Sequence, residues 1–116
     1  MIVHRKDMKT EIKEKMRDGD GSANITYLVN TENEKHTRML AEVTLLSGSS
    51  IGNHNHENET EYYFIISGNG TVNDDGKEVS VSAGDSVITG NGASHSIKNT
   101  GTAPLIFVAV IITYDK

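Results

Sequence analysis

The sequence predicts an all-β domain, a sandwich or a barrel. Three observations carry that prediction. Gly and Asn punctuate the chain at short intervals, at Asp18–Gly21, Asn30–Asn33, Ser47–Gly52, Gly68–Gly70, Asn73–Gly76, Ser82–Asp85, Gly90–Gly92 and Asn99–Gly101. Between these turns lie short runs rich in Val, Ile, Thr and Tyr, the spacing of an all-β fold. The 116 residues amount to one domain, 1–116, of a size that buries roughly two thirds of its unfolded surface.

The N-terminal arm, about residues 1–22, is the least patterned part. Lys9–Arg17 reads as one or two helical turns at most, because its apolar positions, Ile12 and Met16, are too few to define a face. Strands are then expected at Ala23–Val29, Arg38–Leu46, Glu61–Ile66, Thr71–Val72, Glu78–Val81, Ser86–Thr89, Ser94–Lys98 and Leu105–Thr113. Asp74-Asp75-Gly76 suits a tight hairpin turn between the fourth and fifth. Leu105–Ile112 is apolar at every position, which predicts burial on both faces or use at a subunit contact. The single proline, Pro104, stands at the start of that strand, where its missing N–H does least harm. There is no internal repeat, linker or low-complexity tract.

Composition excludes several classes. Formal net charge is -5, with 16 acidic and 11 basic residues. The basic residues are scattered apart from Arg5, Lys6, Lys9, Lys13, Lys15 and Arg17, which read as a solvated face. No nucleic-acid footprint is therefore expected. Met1–Lys9 has charges but no apolar run behind them, so no secretory signal is expected. Leu105–Ile112 is too short to cross a membrane as a helix. The absence of cysteine suits a cytoplasmic protein.

The chemistry concentrates between Gly48 and Asn99. His54 and His56 stand at i and i+2, which on an extended strand puts both rings on one face about 7 Å apart along the chain. Glu61 opens the next strand, where alternation groups Glu59, Glu61, Tyr63 and Ile65 on one face. His95 follows Gly90-Asn91-Gly92. Three imidazoles and one carboxylate make a full protein ligand set for a divalent transition metal, without choosing among Fe, Mn, Ni, Co, Cu and Zn. His4 and His36 lack partners at ligand spacing. Gly48-Ser49-Ser50-Ile51-Gly52 fits the nucleophile-elbow pattern, but that pattern needs a strand-to-helix turn in a large α/β sheet, so it reads here as a turn.

These segments resemble the two motifs of the cupin family. Gly48, five residues, His54-Asn55-His56, four residues, Glu61, six residues and Gly68 match the first motif. Gly84, five residues, Gly90-Asn91-Gly92, two residues, His95, three residues and Asn99 match the second, with Gly90 where the family usually has proline. Fifteen residues, Asn69–Ala83, separate them. The resemblance implies a double-stranded β-helix (jelly-roll) barrel of six to eight strands with His54, His56, Glu61 and His95 holding a metal inside. It also implies a homodimer paired through edge strands, with the final strand and Met1–Val3 as candidate contacts.

Four protein ligands on a six-coordinate ion leave two positions open. The expected ligand is an oxygen-rich small molecule (a sugar, sugar acid or keto acid), and the expected activity is a metal-dependent isomerase, lyase or dioxygenase reaction. Glu59 and Tyr63 are the candidates for acid–base work or orientation. A non-catalytic ligand-binding or structural-metal cupin is the alternative. A sugar-phosphate isomerase ranks lower, since Lys77 and Lys98 are the only basic residues between Gly48 and Asn99.

Overall fold

A computed structural model describes residues 1–115. Ten strands form the chain, with one short 3-10 turn before the first (Arg5–Asp7) and another (Met16–Asp18) between the first and second: β1 (Lys9–Glu14), β2 (Ser22–Tyr27), β3 (Thr37–Leu45), β4 (Ser50–Asn55), β5 (Glu59–Ser67), β6 (Asn69–Asp74), β7 (Lys77–Ser82), β8 (Ser86–Gly90), β9 (Ser94–Lys98) and β10 (Leu105–Thr113). They form two antiparallel sheets, β1-β2-β3-β10-β5-β8 and β4-β9-β6-β7. This is the double-stranded β-helix of the cupin barrel.

Every strand expected from the pattern is present; β5, β6, β7 and β8 run longer than expected, and β2 stops at Tyr27, two residues short of the expected end. Two stretches differ. Lys9–Arg17 is no helix: Lys9–Glu14 pairs residue for residue with β2, and only Met16–Asp18 turns as a 3-10 segment. Pairing supplies backbone partners that an isolated, weakly amphipathic helix cannot match. Ser47–Gly52 turns only in its first half, since β4 begins at Ser50 and pairs with β9.

The inner faces of the sheets meet in one apolar core. Ile25, Val43, Leu45, Ile65, Leu105 and Phe107 come from the six-stranded sheet, and Ile51, Val72, Val81 and Ile97 from the four-stranded one. Burying each such side chain stabilises the fold by about 1.5–3 kcal/mol. The strand alternation expected for β5 holds: Glu61, Tyr63 and Ile65 are buried, while Tyr62, Phe64 and Ile66 are exposed.

β10 departs from expectation in its surroundings. It lies at the centre of the six-stranded sheet, between β3 and β5, so its backbone is not an edge. Leu105, Phe107, Ala109 and Ile111 are buried, but the alternate residues Ile106, Val108 and Val110 are only half-buried on the outer face. The hairpin at Asp74-Asp75-Gly76 forms as expected. Asp75 and Gly76 both take positive φ, 51° and 100°, and the Asn73 side chain accepts the Gly76 N–H at 2.8 Å.

Candidate metal centre

Each donor is placed by a different local device. β4 and β9 set His54 directly opposite His95, so two rings meet across one antiparallel pair. The ladder shifts register between Ile51 and His54, which aims the end of β4 inward. His56 lies one residue past β4, and its backbone exchanges both bonds with the second-motif turn: its N–H donates to Ala93 O, and its carbonyl accepts from Gly92 N. Glu61 arrives from β5 in the opposite sheet.

The turn carrying Gly90 in place of proline is braced from outside. The Asn91 N–H donates to the Tyr114 hydroxyl at 3.3 Å, that hydroxyl donates to Asn91 Oδ1 at 3.2 Å, and it also bonds Thr60 Oγ1 at 2.6 Å. A Cβ on Gly90 would fall 2.3 Å from Thr60 Oγ1. Glycine is what lets this brace close, and these contacts restrain the turn where the family usually has proline.

One ligand atom from each of His54, His56, Glu61 and His95 lies within 4.8 Å of the others. Nε2 of His95 is 3.0 Å from Nε2 of His56, 3.1 Å from Nε2 of His54 and 3.0 Å from Oε1 of Glu61. His56 Nε2 is 2.8 Å from the same oxygen, and His54 Nε2 is 3.9 Å from it. Two donors bound at right angles, each about 2.1 Å from one ion, stand about 3 Å apart. The spacings fit that arrangement.

Each ring is held at its outer nitrogen, so Nε2 faces inward in all three. His54 Nδ1 is 2.7 Å from the Gly52 carbonyl, which can only accept, so Nδ1 carries the proton and Nε2 presents a lone pair. His56 Nδ1 donates to Glu59 Oε2 at 2.5 Å. His95 Nδ1 is 2.9 Å from Thr89 Oγ1. Lone pairs and a carboxylate crowded within hydrogen-bond distance repel unless a cation sits among them. This donor set, each histidine backed by a second partner, is compatible with a bound transition metal.

The groups of the cluster shift one another's protonation. Burial alone pushes the Glu61 carboxyl up, but bonds from His54, His56 and His95 overcome it and hold the group well below the usual carboxylate range. Burial pushes His95 down, outweighing the attraction of Glu61, so its imidazole stays neutral. Burial also pushes His56 down, but its bonds to Glu61 and Glu59 reverse the sign and leave it raised.

The two acid–base candidates stand differently. Glu59 is held from both sides: Arg38 donates Nε and Nη2 to its two oxygens at 2.9 and 2.8 Å, and His56 takes the second oxygen. Its carboxyl is lowered, chiefly by the Arg38 bond. Tyr63 is 2% exposed. Its ring stacks on His95 at 4.9 Å and 17°, and its hydroxyl reaches within 3.5 Å of His95 Nε2. Burial, then Glu61, pushes the phenol well above its usual range, so it keeps its proton.

A cavity of about 640 Å³ opens beside His54, His56, Glu61 and Tyr63. Its wall includes Lys13, Lys15, Arg17 and Arg38. The first three belong to the N-terminal basic cluster, which is therefore only partly a solvated face. Lys15 and Arg17 lie beyond the end of β1 in left-handed conformations, so no strand or helix period in the sequence signalled their place on the wall. Thr89 and Arg38, which back His95 and Glu59, carry no motif and emerge only from packing. His36 bonds the Thr113 carbonyl at 3.1 Å, away from the cluster, and Ser50 Oγ accepts the Asp20 N–H at 2.8 Å, as a turn residue does.

The chain belongs to the cupin family: the family's cupin domain model matches residues 41–111. Its relatives narrow the neighbourhood. The oxalate-binding protein of Thermotoga maritima is 42% identical over 113 residues, spanning 97% of this chain and 93% of that protein. The crystal structure of a predicted oxalate decarboxylase from Thermotoga maritima superposes with a TM-score of 0.92 at 41% identity, covering 97% of this chain and 99% of that one. The polyketide cyclase RemF of Streptomyces resistomycificus shares the fold at 19% identity, with a TM-score of 0.73 over 99% of this chain and 80% of its own.

Proposed function

We propose that His54, His56, Glu61 and His95 hold a divalent transition metal, and that the loaded cavity binds a small oxygen-rich anion, oxalate being the first candidate. The convergence of three Nε2 atoms and one carboxylate oxygen carries this reading. When bound, such a metal supplies Lewis acidity and open positions for two cis oxygens. Three neutral imidazoles and one carboxylate leave a divalent ion with net positive charge, which suits an anion. The oxalate-binding relative supports oxalate within the wider class of sugar acids and keto acids.

The surrounding residues then have defined work. Glu59, clamped by Arg38, orients His56 and keeps its proton on Nδ1. Thr89, through its hydroxyl on Nδ1, orients His95. Tyr63 packs against His95 and offers a protonated hydroxyl beside the cluster. Turnover of the bound anion is the second reading, and Tyr63 favours it: its phenol retains a proton, whereas Glu59 is already engaged by two partners.

A second copy of this chain is the proposed macromolecular partner. Tyr62, Phe64, Ile66 and Ile88 are exposed on the outer face of the six-stranded sheet, next to the half-buried outer residues of β10, and they suit a homodimer contact. That moves the expected contact from a sheet edge to a sheet face.

Elemental analysis of protein purified without added metal should find about one transition metal per chain. Calorimetric titration should then show saturable oxalate binding that disappears after chelation and returns on reloading. Equal binding by the chelated protein would overturn the reading. Loss of oxalate over time, followed with and without oxygen, separates turnover from binding alone.

A further inference from the structure

The segment joining β1 to β2 runs along the cavity wall in an unusual conformation. Lys15, Arg17 and Asp18 all occupy the left-handed region, with φ of 48°, 55° and 63°. Each such non-glycine residue costs on the order of 1 kcal/mol and persists only where surroundings enforce it. The enforcement is visible. Met16 packs against the core. Asp20 N–H donates to Ser50 Oγ at 2.8 Å, and Ser50 N–H donates to Asp20 O at 2.8 Å.

Two glycines allow this path, for reasons of space alone, since neither is left-handed. A Cβ on Gly52 would fall 1.9 Å from the Arg17 carbonyl oxygen, and one on Gly19 would fall 2.4 Å from the Ser50 carbonyl oxygen. The strap therefore lies backbone to backbone on β4, two residues before His54. Its packing places Lys15 and Arg17 on the wall of the cavity that His54, His56 and Glu61 also line.

The charges are not spent elsewhere. Arg5, Arg38 and Lys98 make ion pairs. Lys13, Lys15 and Arg17 make none among the described residues. Four basic residues and two acidic ones, Glu14 and Glu61, line this cavity in a chain of net charge -5.

We infer that the strap is a second anion subsite: Arg17, backed by Lys13 and Lys15, binds the charge of a dianionic ligand that the four-donor cluster does not neutralise. This rests on the metal-and-anion reading above. It adds that the site selects small dianions over monoanions, because a single carboxylate held at the cluster gains little from a guanidinium elsewhere on the cavity wall. Arginine suits the task, since its planar fork matches a carboxylate and is always charged.

The test is calorimetric titration of metal-loaded wild type, Arg17→Ala, Arg17→Lys and Arg17→Gly with oxalate, malonate and acetate, with metal content measured on each sample. Arg17→Gly relieves the left-handed strain and guards against a folding failure. Metal content should stay near the wild-type value in all three variants. Oxalate and malonate affinity should fall about 10- to 100-fold in the Ala and Gly variants, as for loss of a charged hydrogen bond, and less in the Lys variant. Acetate affinity should change less than about 3-fold. Dianion affinity unchanged in Arg17→Ala, or an equal loss for acetate, would overturn the strap assignment while leaving the metal reading intact. Failure of the wild type to bind any of the three anions would overturn both, and metal-free wild-type protein would point to the cluster as the cause.

Discussion

The two histidine-bearing strands of the four-stranded sheet are built in opposite ways. β9 is interior, paired to β4 on one side and β6 on the other. Its His95 is 0% exposed, stacked on Tyr63 and bonded to Thr89. β4 is an edge strand with a register shift. Its His54 stands at the cavity wall, and its outer side is covered by the strap rather than by another strand. One histidine is an anchor inside the core, and the other is a wall component whose position depends on a loop. A four-donor cluster assembled this way has one side fixed in the core and one side that rests on a loop.

Substituting the two histidines gives the sharpest test of that asymmetry. His95→Ala should abolish stoichiometric metal and also cost metal-free protein about 2–3 kcal/mol, as for a core truncation that leaves a cavity. His54→Ala should abolish metal equally but change metal-free stability by less than about 1 kcal/mol. Elemental analysis with denaturant unfolding of chelated samples measures both, and equal stability losses would break the comparison.

Next in size is Gly52→Ala. Its Cβ would collide with a backbone oxygen of the strap, so the strap or β4 must move, at about 2–3 kcal/mol. The unfolding midpoint should fall while metal binding weakens only through the β4 side.

The outer partners of the rings should rank below these. Glu59→Gln leaves His56 without its carboxylate and should weaken metal affinity about 10- to 100-fold. Thr89→Val should cost less than about 10-fold, because stacking on Tyr63 still holds His95. Competition with a chromogenic chelator gives both values. A larger loss from Thr89→Val would mean that β9 is not the self-sufficient side.

The smallest effect is on pH. The Glu59 and Glu61 carboxyls both lie below their ordinary value in the fold. As pH falls below about 4.5, the unfolded chain takes up these protons first, so their stabilisation is full above that pH and is lost toward acid. The melting temperature of metal-free protein should therefore slope downward between pH 5.5 and 3.5 by on the order of a few degrees. Glu59→Gln should flatten part of that slope, and an unchanged slope would show that the Arg38–Glu59–His56 chain does not couple to folding.

What could be read from the sequence was whatever depends on local pattern. Turn residues and period-two runs located the strands, because backbone freedom and burial act residue by residue. The His-x-His, the glutamate and the later histidine named the donor set, because strand alternation already places them on inner faces. Only the tertiary structure decided the rest. The Arg38–Glu59–His56 chain spans 21 residues, Thr89 meets His95 through the fold of a turn, and the basic arm reaches the cavity by lying on β4 where two glycines give room. None of these contacts follows from spacing, because each depends on which backbones approach one another once the two sheets have closed over the core.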